Sequence, residues 1–153
     1  MAPDFDPARA RQAALDWLAR REHSVAELAA KLIKKGCADA LARRVTGEMQ
    51  REGLVSDERF TEMLVRARRA RGFGPLWIKR ELQEKGVAGE LIADRLDISG
   101  HEWKAEIRRV RQKKFGSKQP KDFAERARQA RFLHYRGFTH DQIRSAFGRD
   151  ALI

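Results

Sequence analysis

The residues that most often carry chemistry do not converge in this chain. His23, His101, His134 and His140 stand at separations that give no metal-ligand spacing with Cys or carboxylates, and a zinc site needs about four convergent ligands. Gly72-Phe73-Gly74 runs into Pro75 rather than into Lys followed by Ser or Thr, so it reads as a helix connector and not as a phosphate loop. No Ser sits in a recognisable nucleophile turn. The single Cys37 excludes an intramolecular disulfide, favours a reducing interior and reads as a small packing residue. Carboxylates fall where Lys or Arg of the same helix can pair with them, as Glu81 with Lys85. No catalytic residue, no metal site, no cofactor and no small-molecule substrate is expected.

The basic side chains are the better candidates. Arg66, Arg68, Arg69 and Arg71 follow an apolar line, Phe60-Leu64-Ala67; at the helical period Arg66 and Arg69 project away from Leu64 and Arg68 borders the apolar face. Lys79 and Arg80 come next. Arg108, Arg109 and Lys113 point away from Ile107, followed by Lys114, Lys118 and Lys121 around a loop. Arg126, Arg128 and Arg131 flank a later apolar stripe. Arg can hold phosphate or carboxylate with two parallel hydrogen bonds, whereas Lys acts as a point charge. Singly, each of these reads as a solvated cation; as a set they read as a face for an anionic partner. Trp77 precedes an inward Ile78 and either packs between repeats or faces a partner.

The elements that must position these cations repeat along the chain. Leu-x-x-x-Gly followed by a small or apolar residue occurs at Leu32-Gly36-Cys37, Leu82-Gly86-Val87 and Leu133-Gly137-Phe138, at separations of 50 and 51 residues. Glycine adopts the left-handed conformation that ends a helix, and the residue after it packs back on the one four before it. Three such stops at one period are an internal repeat. Each repeat reads as three helices. Pro7 or a neighbour opens the first, with Ala10, Ala14, Trp17 and Leu18 inward. Ser24 caps the second, with Glu27 completing a capping box, and Leu41, Val45 and Met49 line the third up to Gly53. Ser56 caps the fourth helix and Pro75 starts the fifth. Ile78 and Leu82 repeat Leu28 and Leu32, and Leu91, Ile92 and Leu96 mark the sixth. Trp103, Ile107 and Val110 line the seventh, Phe123, Ala127, Ala130 and Leu133 the eighth, and Ile143 and Phe147 the ninth, before the chain ends at Ile153. No segment alternates, so no strand is expected. The expectation is an all-α protein of three tandem three-helix repeats, at 1–53, 54–99 and 100–153. It should stack into an elongated, curved array that offers a long surface rather than a pocket.

Composition sets the class of partner. The 153 residues carry a net charge of +11. Residues 1–50 hold nine basic and seven acidic side chains, 51–100 ten and nine, and 101–153 fourteen and six. So concentrated an excess points to nucleic acid or an acidic protein surface. No stretch approaches the ~20 apolar residues of a membrane span. The opening Met-Ala-Pro-Asp-Phe-Asp has neither a basic start nor an apolar run, so no signal peptide is expected.

Four strings, in this order and spacing, resemble the RecX family of bacterial regulators of the RecA recombinase. They are Leu-Ala-Arg-Arg-Glu-His-Ser-Val-Ala-Glu-Leu with Lys-Leu-Ile-Lys-Lys-Gly (18–36), Gly-Leu-Val-Ser-Asp-Glu-Arg-Phe (53–60), Arg-Gly-Phe-Gly-Pro-Leu-Trp-Ile-Lys-Arg-Glu-Leu (71–82) and Phe-Leu-His-Tyr-Arg-Gly-Phe-Thr (132–139). The resemblance covers nearly the whole chain. It implies a cytoplasmic, helical-repeat protein that lodges in the groove of RecA filaments on single-stranded DNA. There it would hinder growth or promote disassembly, suppressing strand exchange, ATP hydrolysis and the SOS response to DNA damage. The family offers no catalytic residues to carry over. Helices joined by Gly turns also fit a helix-turn-helix regulator of duplex DNA; such a protein would concentrate its base-reading residues on one helix and dimerise on spaced half-sites. A scaffold that binds only protein would have no affinity for DNA.

Overall fold

The computed structural model describes residues 5–148. The start at Met1 to Asp4, read above as lacking a leader, and the end at Ile153 lie outside the described residues. Among the described residues there are nine α-helices and no strand: α1 (Pro7–Leu18), α2 (Val25–Lys34), α3 (Asp39–Arg51), α4 (Asp57–Ala70), α5 (Pro75–Glu84), α6 (Gly89–Arg95), α7 (Glu102–Phe115), α8 (Phe123–Tyr135) and α9 (His140–Ala146).

The periodic glycines end helices as their spacing predicts. Gly36, Gly86 and Gly137 have φ of 116°, 78° and 95°. The N–H after each glycine donates to the Leu carbonyl five residues back: Cys37 to Leu32 (2.9 Å), Val87 to Leu82 (3.1 Å) and Phe138 to Leu133 (3.2 Å). All six of those residues are buried, so each stop satisfies helix-end carbonyls and closes an apolar contact at once. Two further stops, after α3 and α4, have the same bonds, Leu54 to Met49 (2.9 Å) and Phe73 to Arg68 (3.0 Å).

The chain divides into two compact units, residues 1–63 with 82–92 and residues 64–81 with 93–153. In the first, α1, α2 and α3 pack on one another around Ala10, Ala14, Leu28, Leu32, Ala42, Val45 and Met49. Cys37 lies in this core and burial pushes its thiol pKa up, which keeps it neutral and unreactive. In the second, α7, α8 and α9 pack on one another, with Trp103, Ile107, Leu133, Phe138, Ile143 and Phe147 buried.

A single joint recurs, once within each unit. In the first, the turn ending α5 meets the start of α2. The Ser24 hydroxyl donates to the Lys85 carbonyl (2.6 Å), and a Cβ on Gly86 would lie 2.6 Å from Ala26 Cβ. In the second, the turn ending α8 meets the start of α5. Gly74 N–H donates to the Arg136 carbonyl (2.7 Å) and Leu76 N–H to the Gly137 carbonyl (2.9 Å), while a Cβ on Gly137 would lie 2.5 Å from Trp77 Cβ. Unpaired carbonyls at one helix end thus meet donors at another helix start, with the end dipoles opposed favourably. Gly86 and Gly137 are 51 residues apart, as are Ala26 and Trp77.

Three local expectations are corrected. Ser24 caps α2 by accepting from Glu27 N–H (3.0 Å), but the Glu27 carboxylate does not return to the cap. It accepts from Arg21 (3.1 and 2.8 Å) and from Lys85 (3.2 Å). The reciprocal capping box belongs instead to Thr139 and Gln142 on α9. Glu81 does not pair with Lys85, because Lys85 is drawn to Glu27; Glu81 accepts two hydrogen bonds from Arg68 (2.8 and 2.7 Å). Phe123 is 85% exposed instead of lining α8. The inward face of α8 is set by Leu133 and the buried Gln129, and Phe123 lies roughly 100° around the helix from that line. Gln129 is inward because Arg111, only 3% exposed, donates to its side-chain oxygen (3.0 Å) and to the Lys118 carbonyl (3.0 Å). A buried cation needs such acceptors.

The polar cluster around Glu27 makes the fold pH-dependent. Burial alone would raise the Glu27 pKa, but hydrogen bonds and charge from Arg21 and Lys85 hold it at about 2, below the ordinary 4.5. Nearby, buried His23 donates from Nδ1 to the Arg21 carbonyl (3.1 Å) and accepts at Nε2 from Lys31 (2.9 Å), an arrangement only the neutral ring can make. Burial lowers its pKa from 6.5. Both depressions favour folding at neutral pH. The His23 contribution is lost as pH falls below 6.5, and the Glu27 contribution as pH falls from 4.5 towards 2. Acid titration of unfolding free energy should therefore fall in two steps, and Glu27→Gln should remove the lower one at a cost of about 2 kcal/mol at neutral pH. The joints are tested by glycine substitution. Gly53 has φ +78° with open space around its Cβ position, so Gly53→Ala should cost about 1–2 kcal/mol. Gly86→Ala and Gly137→Ala add the clash and should cost at least about 3 kcal/mol each in thermal or urea unfolding.

Candidate nucleic-acid interface

Every cation singled out in the sequence falls in residues 64–81 or 93–153, the second compact unit. Within it the structure separates cations held by the protein from cations facing outward. Arg68 is held by Glu81. Half-buried Arg69 lies over the Trp103 ring (5.9 Å). Arg126, also half-buried, lies over Phe147 (5.1 Å). Arg128 is exposed beside Glu125 (3.8 Å) and over Phe115 (5.6 Å). Arg66 on α4, Lys79 and Arg80 on α5, Arg108 on α7, Lys118 in the loop after it and Arg131 on α8 are exposed and lie outside the cleft described next.

Four of the expected residues do converge. Arg71, Arg109, Lys113 and Lys114 surround a cleft of about 220 Å³ whose apolar wall is Val110 and Phe132. Three segments build it: the turn after α4, the outer face of α7 and the end of α8. Arg109 reaches across to the Arg69 carbonyl (3.0 Å) and pairs with Glu106 (3.0 Å). Lys114 lies over the Phe132 ring (5.4 Å). Among the described residues no carboxylate lines the cleft. Lys113 and Lys114 sit in the last turn of α7, where the helix dipole favours positive charge, so the helix holds them at little cost.

A fifth lining cation, Arg136, was missed in the sequence. Its guanidinium donates to the Arg71 carbonyl (3.0 Å) and lies between two rings, 5.0 Å from Phe73 and 4.9 Å from Phe132. A signal was present: Arg71-Gly72-Phe73 and Arg136-Gly137-Phe138 are the same tripeptide at two helix stops, and matching turns present matching side chains. Trp77 packs at the Gly137 joint, where it stacks on Phe73 (4.6 Å), and is still partly exposed, at 37%. Such a cleft can bind an anion through charge and a planar group through its rings. Among the described residues no group of three His, Cys, Asp or Glu side chains could hold a metal ion, and no helix is long and apolar enough to cross a membrane.

Comparison with known proteins places this architecture. The first, second and third three-helix domains of RecX match residues 10–48, 56–96 and 104–147. The regulatory protein RecX of Halorhodospira halophila is 45% identical over 136 residues, covering 89% of this chain and 84% of that protein. The chain belongs to the RecX family. The regulatory protein RecX of Ectopseudomonas mendocina is 41% identical, with 90% of this chain and 92% of that one covered. The crystal structure of RecX from Lactobacillus salivarius superimposes with a TM-score of 0.74 over 96% of this chain and 97% of that one, at 18% identity. A second RecX crystal structure gives 0.71, covering 89% and 68%. The RecX fold is therefore kept where little of the sequence is.

If the cleft holds phosphates, its lysines should contribute charge and little else. Lys113 and Lys114 are exposed, so Lys113→Gln with Lys114→Gln should change stability by no more than about 0.5 kcal/mol. The same pair should flatten the log Kd against log salt slope for single-stranded DNA by about 1.4, or 0.7 for each phosphate no longer neutralised. Fluorescence-anisotropy titration over a salt series measures it.

Proposed function

We propose that this RecX-family protein is a negative regulator of the RecA recombinase in the cytoplasm. It binds RecA filaments on single-stranded DNA along their groove and blocks filament growth, strand exchange and ATP hydrolysis, and so restrains recombinational repair and the SOS response. Membership of a family of proteins named as regulatory supports the coarse reading. The observation that carries the finer one is the cleft in which five cations meet without a lining carboxylate. In this reading the protein binds and transforms nothing. Its three-helix repeats run over 1–53, 54–99 and 100–153. Arg and Lys of the second unit pair with DNA phosphates and with carboxylates of the filament. Contacts made to more than one protomer would tie affinity to the assembled polymer, and phosphate contacts would weaken it steeply with salt.

A recombinase ATPase and strand-exchange assay on single-stranded DNA tests this directly. Substoichiometric protein should suppress both activities, and Arg66→Glu, Arg69→Glu, Arg109→Glu and Lys113→Glu together should weaken the suppression while helicity is retained. Unchanged suppression by that variant would show that another face does the binding. No suppression by the unaltered chain, with a footprint on duplex DNA in the absence of recombinase, would favour the helix-turn-helix regulator.

A further inference from the structure

The second unit exposes an aromatic surface that the basic cleft does not account for. Phe73 and Trp77 stack with ring centroids 4.6 Å apart, and Tyr135 follows at 6.4 Å from Trp77. Tyr135 is 74% exposed and Trp77 37%. Large rings left in water within one patch mark a binding surface more often than chance exposure does. The segments that carry these rings are held firmly. Trp77 starts α5 against the Gly137 turn, whose glycine has no room for a side chain, and Tyr135 ends α8 immediately before that turn. Two backbone hydrogen bonds, from Gly74 to Arg136 and from Leu76 to Gly137, fix the relation between the two segments.

Arg136 joins this patch to the cleft. One face of its guanidinium covers Phe73 of the patch, and Phe132 of the cleft wall lies on the same group. Cations and rings are therefore continuous, with the cleft's charge on one side of Arg136 and the partly exposed rings of Trp77 and Tyr135 on the other. The ligand complementary to both halves has a regular line of anions and, beside it, flat apolar faces that are not already stacked. Duplex DNA has the anions but keeps its base faces covered. A single strand offers both.

We infer that Phe73, Trp77 and Tyr135 form a base-stacking platform for single-stranded DNA, with Arg136 as the hinge between base and phosphate contacts. The inference rests on the proposed function for its DNA partner, and adds which part of the strand is read and where. Stacking is tolerant of base identity, since every base has a π face, so preference for single strands without preference for sequence is the expected behaviour.

Titration of the full chain with an oligothymidylate and with an abasic strand of equal length separates the two contacts. At one salt concentration the normal strand should bind about tenfold or more tighter than the abasic one. Trp77→Ala with Tyr135→Ala should bring the normal strand to the abasic affinity, leaving abasic binding and its salt slope unchanged, whereas Tyr135→Phe should keep the preference. If Trp77→Ala loses helicity, Tyr135→Ala alone decides, because that side chain is mostly in solvent; a several-fold loss confined to the normal strand is expected. Equal affinity of the unaltered chain for both strands would overturn the inference. So would self-association that Tyr135→Ala abolishes without any base-dependent effect, since the rings would then serve a second copy. Recombinase assays on the same variants keep the readings apart: base preference without any effect on recombinase sinks the regulator alone, and intact suppression without base preference sinks the platform alone.

Discussion

The architecture turns on how a helix that stops at glycine meets the start of another helix. At Gly137 the carbonyls of the turn after α8, at Arg136 and Gly137, have no partner in a helix, and the N–H groups at the start of α5 lack one too. Each set satisfies the other, Gly74 to Arg136 and Leu76 to Gly137. The approach is close enough that a methyl group at Gly137 would collide with Trp77. In the first unit the Gly86 turn meets the start of α2 as closely, there through the Ser24 hydroxyl donating to the Lys85 carbonyl. One geometric solution, used twice at an interval of 51 residues, is what makes the repeat a structural rule and not only a recurrence of letters.

That joint also organises the charge. Arg136 leaves the Gly137 turn to cap the Arg71 carbonyl and lie between Phe73 and Phe132, which brings the turn after α4, α7 and the end of α8 to one cleft. A basic surplus by itself is uninformative, because many of these arginines serve the fold. Arg68 is bound to Glu81, Arg111 is buried on Gln129 and the Lys118 carbonyl, and Arg126 lies on Phe147. The cleft gathers five others, Arg71, Arg109, Lys113, Lys114 and Arg136, whose contacts include backbone carbonyls, rings and Glu106. Like charges gathered without a lining carboxylate repel one another, and an anion relieves that repulsion.

Helix stops and starts were legible in the sequence because they are local. A glycine, its preceding Leu and the following small or apolar residue contain all that the turn needs, and Ser24, Ser56 and Pro75 announce the starts beside them. Side-chain partners across helices were not legible. Glu81 has Lys85 one turn away, yet Arg68 lies closer in space and Lys85 is drawn to Glu27. Phe123 reads as inward only until Arg111 is known to need Gln129. The cleft was half visible: Arg71, Arg109, Lys113 and Lys114 stand out as charge clusters, whereas Arg136, alone before a glycine, acquires meaning only from segments 65 residues away.

In the proposed reading the second unit grips single-stranded DNA around the cleft and the rings beside it. Amide hydrogen exchange of the full chain with and without oligothymidylate measures this most directly, because it reads every segment at once. Slowing is expected in the turn spanning 71–77, along the end of α7 and across the α8–α9 turn at 135–138, with α1 to α3 unaffected. Slowing confined to residues 7–51, or none anywhere at saturating DNA, would contradict it.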